Sequence, residues 1–244
     1  MDTTLDQFLG GALRLEQPKT GYRAGVDPVL LAAACPAKAG DSILELGCGV
    51  GVASLCLGHR VPGLSLSAVE ILPDHVELTR KNAEATGMSV DVILGDVANR
   101  PTPFFDRHFD HVIMNPPYFE GAKGLAPIDA GRSSGRRETV PLQAWVIMAG
   151  KRLRPKGYLT LVQRIERLPE VLRTLEGNLG SIKVLPVAPR VKRSAHLVLV
   201  QARKSGRAAF QMLSPLVMHA GAAHGDGYSE EVENILRHGH GLKF

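Results

Sequence analysis

The chain has 244 residues, 44% hydrophobic and 22% charged, and 29 Lys plus Arg against 24 Asp plus Glu leave a formal charge of +5 with a pI near 9.2. Such a composition folds into one large globular unit that buries about 70 to 75% of its unfolded surface, which excludes disorder throughout. No apolar stretch, Val26 to Cys35 included, reaches the roughly 20 residues needed to cross a bilayer, and the opening Met-Asp-Thr-Thr-Leu-Asp lacks the basic-then-apolar pattern of a secretory signal, so no membrane partner is expected and the cytoplasm is the expected compartment.

In chain order, a short strand-like lead covers Gly11 to Gln17, followed by a loop through Thr20 and Gly25 and a helix from Asp27 to Ala34 with Pro28 in its first turn. From residue 42 onward, apolar β-favouring runs alternate with helical periods: Ser42–Leu46, Val52–His59, Ser65–Glu70, Asp74–Thr86 and Val90–Leu94. The alternation resumes with a strand at Asp110–Met114, a helix near Val140–Leu153, a strand at Tyr158–Val162, a helix at Leu168–Leu179, and strands at Ile182–Val187 and His196–Ala202. This pattern predicts an α/β fold with a mostly parallel, seven-stranded sheet and helices on both faces. The last two strands are joined only by Pro189–Ala195, too short for a parallel crossover, so the last strand should run antiparallel. Residues 1–41 read as a lead segment and 42–244 as the main globular unit. The segment Glu120–Thr139, with four glycines and Arg132, Arg136 and Arg137, is long enough to be a substrate lid. No repeat at a period of 20 to 50 residues and no low-complexity tract is present.

Cys35, Cys48 and Cys56 are odd in number and form no Cys-x-x-Cys pair, which argues for reduced thiols and against structural zinc. His238 and His240 lie in a Gly-rich tail read as a frayed terminus, so no metal is expected.

Three acid or glycine signals fall at strand ends. Glu45-Leu46-Gly47-Cys48-Gly49-Val50-Gly51 follows the first sheet strand and opens a helix, placing glycines where backbone turns tightly and approaches a ligand. Such a loop serves dinucleotide and S-adenosylmethionine enzymes alike. Glu70 ends the next strand 19 residues after Gly51, where a carboxylate can accept hydrogen bonds from both hydroxyls of an adenosine ribose, with Ile71 beside it. Asp96, in Gly95-Asp96-Val97, would face the amino edge of an adenine. Ligands in open α/β sheets bind outside the carboxyl ends of the strands, so these positions converge by topology, although each acid alone could be a helix cap or a solvated charge.

The fourth strand runs into Asn115-Pro116-Pro117-Tyr118-Phe119. Two prolines remove two backbone donors and hold the chain extended, leaving the Asn115 side chain and the nearby carbonyls, Pro116 above all, as acceptors for a planar amino group. The lone pair of such a group is delocalised, so catalysis there is mainly positioning and electrostatics. Tyr118, with Phe119 beside it, could stack on a planar substrate next to Pro117.

Gly47 to Gly51, Glu70, Asp96 and Asn115 to Tyr118 together resemble the class I S-adenosylmethionine-dependent methyltransferases that modify planar amino groups. The lead Gly21-Tyr22-Arg23-Ala24-Gly25-Val26-Asp27-Pro28-Val29-Leu30-Leu31 and the late Tyr228-Ser229-Glu230-Glu231 extend the resemblance to the bacterial tRNA1(Val) adenine N6-methyltransferase family, over about residues 5 to 238. The resemblance implies a Rossmann-like fold and S-adenosyl-L-methionine held by Glu45, Gly47, Cys48, Gly49, Gly51, Glu70, Ile71, Asp96, Val97 and Asn115. It also implies a lead that packs over the methionine end, making Arg23, Gly25 and Asp27 wall residues, with Asp27 alternatively a plain N-cap. The implied substrate is the adenine at position 37 of a tRNA, beside the anticodon.

Basic clusters at Arg132, Arg136 and Arg137, at Lys151 to Lys156, at Arg190 to Arg193 and at Arg203 to Arg207 suit phosphate contacts, although a solvated helix face would look the same. The main rival is a protein-glutamine N5-methyltransferase acting on translation release factors, whose family carries a substrate domain ahead of the fold. A nicotinamide oxidoreductase or a non-catalytic RNA-binding module would leave Asn115 to Tyr118 without a use. The oligomeric state stays open.

Overall fold

The computed structural model describes residues 1–98, 106–117, 140–221 and 227–244. Its centre is a mixed sheet in which Ser42–Leu46 (β3) pairs in parallel with Ser65–Glu70 (β4) on one side and Phe109–Met114 (β6) on the other. Outward from β4 lies Val90–Leu94 (β5); outward from β6 lies Leu153–Arg164 (β7), both parallel. Leu197–Arg203 (β9) then pairs antiparallel with β7 and with Gly180–Ala188 (β8), as the short β8–β9 connection requires. The described sheet has nine strands rather than the expected seven, because Gln211–Met212 (β10) and Leu216–Val217 (β11) add to β8. These two-residue strands cover an edge whose backbone donors and acceptors would otherwise be open.

Alternation along the strands sends side chains to two cores. Ile43 and Ile113 join the helices Asp27–Ala34 (α1) and Val52–Arg60 (α2) on one face, whereas Leu44, Leu46, Val112 and Met114 join Leu142–Arg152 (α4) and Leu168–Leu175 (α5) on the other. Helix Pro73–Ala85 (α3) follows β4 and buries Val76 against Val92 of β5. The helix at α5 stops at Leu175, short of the expected Leu179, where Gly177 turns the chain with φ of +75°. Among the described residues no helix is long and apolar enough to cross a membrane, and the three cysteines are buried and unpaired.

Two elements depart from the sequence expectation. The lead is a hairpin, Thr3–Phe8 (β1) paired antiparallel with Leu13–Pro18 (β2), not a lone strand. Asn82 of α3 holds it to the main body, accepting from Glu16 N at 2.7 Å and donating to Glu16 O at 3.0 Å. The tail is not frayed: Glu230–His238 (α6) is capped by Ser229, whose side chain accepts from Val232 N, and ended by Gly239 in the left-handed region. Glu230, Glu231 and Glu233 in its first turn and Arg237 and His238 in its last complement the helix dipole. Val232 and Ile235 are buried in the core beside α1, and Leu242 N donates to Ala33 O at 2.8 Å.

Glu45 is a buried acid in the middle of this framework. Its Oε2 accepts from Ser54 N at 3.0 Å and from Ser54 Oγ, which fixes the start of α2 to β3. Burial nevertheless pushes its carboxyl up to about 8, partly offset by the Ser54 hydrogen bonds.

Two outcomes follow from this packing. Ile235→Ala, at a side chain 1% exposed, should lower unfolding free energy by about 2 to 5 kcal/mol in urea denaturation, a loss that a frayed tail would not produce. For Glu45, a pKa raised in the folded chain means that its contribution is complete below its ordinary 4.5 and is lost as pH rises through about 8. The stability of Glu45→Gln relative to the wild type should therefore be higher at about pH 9 than at about pH 5 when both are denatured in urea at each pH. An equal difference at the two values would show that Glu45 ionises as readily folded as unfolded.

Candidate active site

The carboxyl ends of β3, β4, β5 and β6 lie along one edge of the sheet, and the glycine loop is folded over that edge. Gly47 N and Cys48 N donate to Val69 O at 2.8 and 3.1 Å, so the loop is tied to the neighbouring strand β4. Gly47, Gly49 and Gly51 have φ of +70°, +56° and +87°, a region open to glycine at little cost. The two outer glycines are also crowded. A Cβ on Gly47 would stand 2.5 Å from Trp145 Cη2, and one on Gly51 2.8 Å from Thr79 Cγ2. A Cβ on Gly49 would meet nothing within 4 Å, so this residue offers its bare backbone to open space. Thr79 Oγ1 of α3 donates to Gly49 O at 2.9 Å and holds that presentation.

Glu70 acts on the loop as well as ending β4. Its Oε2 accepts from Gly49 N at 2.8 Å, and its Oε1 accepts from Ile71 N and Leu72 N at 2.9 and 3.0 Å. A carboxylate offers about four acceptor sites, so capacity remains on Oε2. Ile71, 55% exposed, stands next to this carboxylate. Gly95 N donates to Glu70 O at 2.9 Å and brings the end of β5 alongside; Asp96 Oδ1 accepts from Ala98 N at 2.8 Å, and Val97 is buried.

A cleft joins the glycine loop and the end of β6 to the lead, whereas Gly51, Glu70, Ile71, Asp96 and Val97 are not among its wall residues. Its walls include Glu45, Gly47, Cys48, Gly49 and Asn115, and also Gln17, Tyr22, Ala24, Pro28 and His75. The lead therefore covers the glycine loop, though not through all the residues expected. Arg23 turns away from the cleft: its guanidinium donates to Thr4 Oγ1 at 2.8 Å and to Pro18 O at 2.9 Å, and pairs with Asp6 of the hairpin. Gly25 and Asp27 lie between the wall residues Ala24 and Pro28, and Asp27 is the first residue of α1, with Val26 at the cap position. Tyr22, Gln17 and His75 are wall residues with no signal of their own in the sequence, although Tyr22 belongs to the lead motif.

At the end of β6, Asn115 Nδ2 donates to Tyr22 Oη at 3.1 Å. The prolines after it are held through their carbonyls. Gln163 Nε2 of β7, fully buried, donates to Pro116 O at 3.4 Å, and Arg167 Nη1 donates to Pro117 O at 3.1 Å. Neither Gln163 nor Arg167 is legible as a site residue in the sequence, because each reaches the motif from 47 or more residues further along the chain. Tyr118, Phe119, Arg132, Arg136 and Arg137 lie outside the described residues.

The basic clusters separate to opposite edges of the sheet. Arg190, Lys192 and Arg193 lie in the β8–β9 loop on the carboxyl edge, where Ile165 N donates to His196 O at 3.1 Å, next to Arg164 and the Arg167 that touches Pro117. The clusters at Lys151–Lys156 and Arg203–Arg207 lie at the amino edge, where Lys156 N donates to Lys204 O at 3.2 Å and Arg154 pairs with Asp110 at 2.8 Å.

Comparison with known proteins accords with this geometry. A family model described as the methyltransferase small domain matches residues 24–189. A tRNA1(Val) (adenine(37)-N6)-methyltransferase of Porphyromonas gingivalis is 30% identical over 187 residues, covering 70% of this chain and 72% of that one. A predicted O-methyltransferase from Agrobacterium tumefaciens superposes with a TM-score of 0.72 at 25% identity, covering 89% of this chain and 98% of that one. The 16S rRNA N2 G1207 methyltransferase of Thermus thermophilus, solved with S-adenosylmethionine and guanosine, shares the fold with a TM-score of 0.58 at 22% identity over 83% of this chain and 50% of its own. With an antiparallel strand near the end of a mostly parallel sheet and the glycine loop at the strand ends, the chain belongs to the methyltransferase small domain family of S-adenosylmethionine-dependent enzymes and is a relative of the tRNA1(Val) (adenine(37)-N6)-methyltransferases.

Proposed function

We propose that the protein methylates the N6 amino group of an adenine in tRNA, the one at position 37 beside the anticodon, in the cytoplasm. The observation that carries the reading is the convergence of Asn115, the glycine loop and the lead on one cleft. In this reading residues 1–41 form the cover and 42–244 the transferase unit. The open face of Gly49, the spare acceptor capacity of Glu70 and the exposed Ile71 suit the adenosine part of S-adenosylmethionine, with Asp96 and Val97 at its base and Glu45, Gly47, Cys48 and Gly51 shaping the loop beneath it. Bound there, the cofactor supplies an electrophilic methyl on a sulfonium.

The chain's own contribution is to bring the amine to that methyl. The Asn115 side-chain oxygen and the Pro116 carbonyl accept the two N–H groups of the adenine amine, which orients its nitrogen and favours pyramidal geometry. Both acceptors are held from behind, Asn115 by Tyr22 and Pro116 by Gln163. Tyr118 and Phe119 are the stacking residues of this reading. The RNA lies across the carboxyl edge, with Lys192 and Arg193 of the β8–β9 loop on its phosphates, and Arg132, Arg136 and Arg137 are further phosphate-binding residues of this reading.

Incubation with methyl-labelled S-adenosylmethionine and either bulk bacterial tRNA or release factor, followed by nucleoside and peptide mass analysis, tests the substrate. Label on N6-methyladenosine is expected; label on glutamine would overturn the substrate and keep the site. Asn115→Ala should lower the rate by about 10²-fold or more with the fold intact. The edge assignment has its own measurement. Lys192→Glu with Arg193→Glu should reduce the salt slope of tRNA binding by about 0.7 to 0.9 for each phosphate that is no longer neutralised, whereas Lys151→Glu with Arg207→Glu at the amino edge should leave it unchanged. The reverse pattern would move the RNA to the other edge.

A further inference from the structure

Tyr22 stands apart from the other cover residues. It is 56% exposed, yet its hydroxyl reaches into the cleft and meets Asn115 Nδ2 at 3.1 Å. The loop that carries it is pinned to the hairpin at Arg23 and Ala24, the two residues that follow Tyr22. Gln17, buried in β2, accepts from Ala24 N at 2.7 Å and donates to Ala24 O at 3.2 Å, while Arg23 is bound to Thr4, Pro18 and Asp6. Gln17 also donates to Asp6 at 2.6 Å, which joins the two anchors into one network. Together these anchors fix the chain directly after Tyr22 and so the point from which its side chain extends.

A carboxamide can turn by 180° with almost no change in shape, and that turn exchanges an acceptor for a donor. For an amine-holding site the two orientations are opposite in effect, because an N–H facing an incoming N–H repels it. Although the ring is exposed, burial at its hydroxyl end, followed by the nearby charge of Asp27, pushes the Tyr22 phenol up to about 12, so the hydroxyl stays protonated. The Tyr22 oxygen stands at the Nδ2 end of Asn115, and a lone pair on that oxygen can be used only by an N–H, not by the carboxamide oxygen. We propose that Tyr22 is a positioning residue which, by accepting from Asn115 Nδ2, turns the carboxamide so that its oxygen faces the methyl-accepting amino group. Docking of the lead thereby completes the catalytic motif as well as covering the cofactor.

This inference rests on the amine-holding role of Asn115 given above, and its test separates the two. Tyr22→Phe keeps the ring and removes the acceptor. Loss of one neutral hydrogen bond should lower kcat about three- to tenfold, with KM for S-adenosylmethionine and for tRNA within about twofold of wild type. In an Asn115→Ala background the same substitution should have no further effect, since nothing remains to be oriented. An unchanged kcat, a loss confined to KM, or an additive loss in the double variant would overturn the assignment. In the free protein, the Asn115 side-chain amide protons, followed by 15N-edited NMR, should exchange more slowly with solvent in wild type than in Tyr22→Phe; equal exchange would overturn it whatever the substrate. Should the label appear on glutamine, the kcat cycle is measured on that peptide instead. Should Asn115→Ala be as active as wild type, the amine-holding reading falls, and the role of Tyr22 falls with it, whatever the amide exchange shows.

Discussion

The carboxylate of Glu70 is the point from which the crevice is assembled. By accepting from Gly49 in one loop and from Ile71 and Leu72 in the next, it binds the β3–α2 turn to the β4–α3 turn, and its own carbonyl receives Gly95 from the end of β5. Three strand ends that share a sheet edge by topology are thus given fixed relative heights. Backbone N–H groups gathered on a carboxylate are charge-assisted hydrogen bonds, stronger and shorter than neutral ones, and their number limits how far each loop can move. The acid that the sequence offers as a ribose ligand also builds the wall the ribose would lie against.

Much of this is legible in the sequence because it is periodic. The strands β3, β4 and β5 and the helix α1 follow from apolar runs bounded by Gly, Pro and acids, and the antiparallel β9 follows from a connection too short to cross over. The losses have physical causes. Thr3 to Phe8 is apolar only at Leu5 and Phe8 and shows no apolar run, since its strand pairs only with β2 in a two-stranded sheet. Helix α6 carries its signal in Ser229, in Val232 and Ile235 at a helical spacing, and in Gly239, but the Gly- and His-rich end beyond it masks the pattern. At the site, glycines and acids are visible because chemistry restricts them; Gln17, Tyr22 and Gln163 are not, because ordinary residue types become functional only through partners remote in the chain.

Charge tells a similar story. In the sequence the basic clusters at Lys151, Arg190 and Arg203 look alike, and the sheet separates them. Those at the amino edge are engaged in holding strand ends together, with Arg203 donating to Lys156 O at 3.0 Å and Arg154 bound to Asp110. The cluster in the β8–β9 loop opens on the same side as the two prolines. A net charge of +5 is therefore less informative than its distribution, since an attractive field matters to a polyanion only where it leads to the cleft.

Trp145 is the one tryptophan of the chain, and its ring lies beneath the glycine loop, with Cη2 so near Gly47 that no side chain could be accommodated there. A solitary indole in contact with the floor of a ligand site is an optical sensor supplied by the fold. Its emission depends on packing and polarity at that floor and is not diluted by other indoles elsewhere. Occupancy of the site can be followed through light the protein emits itself, with no chromophore attached and no turnover required.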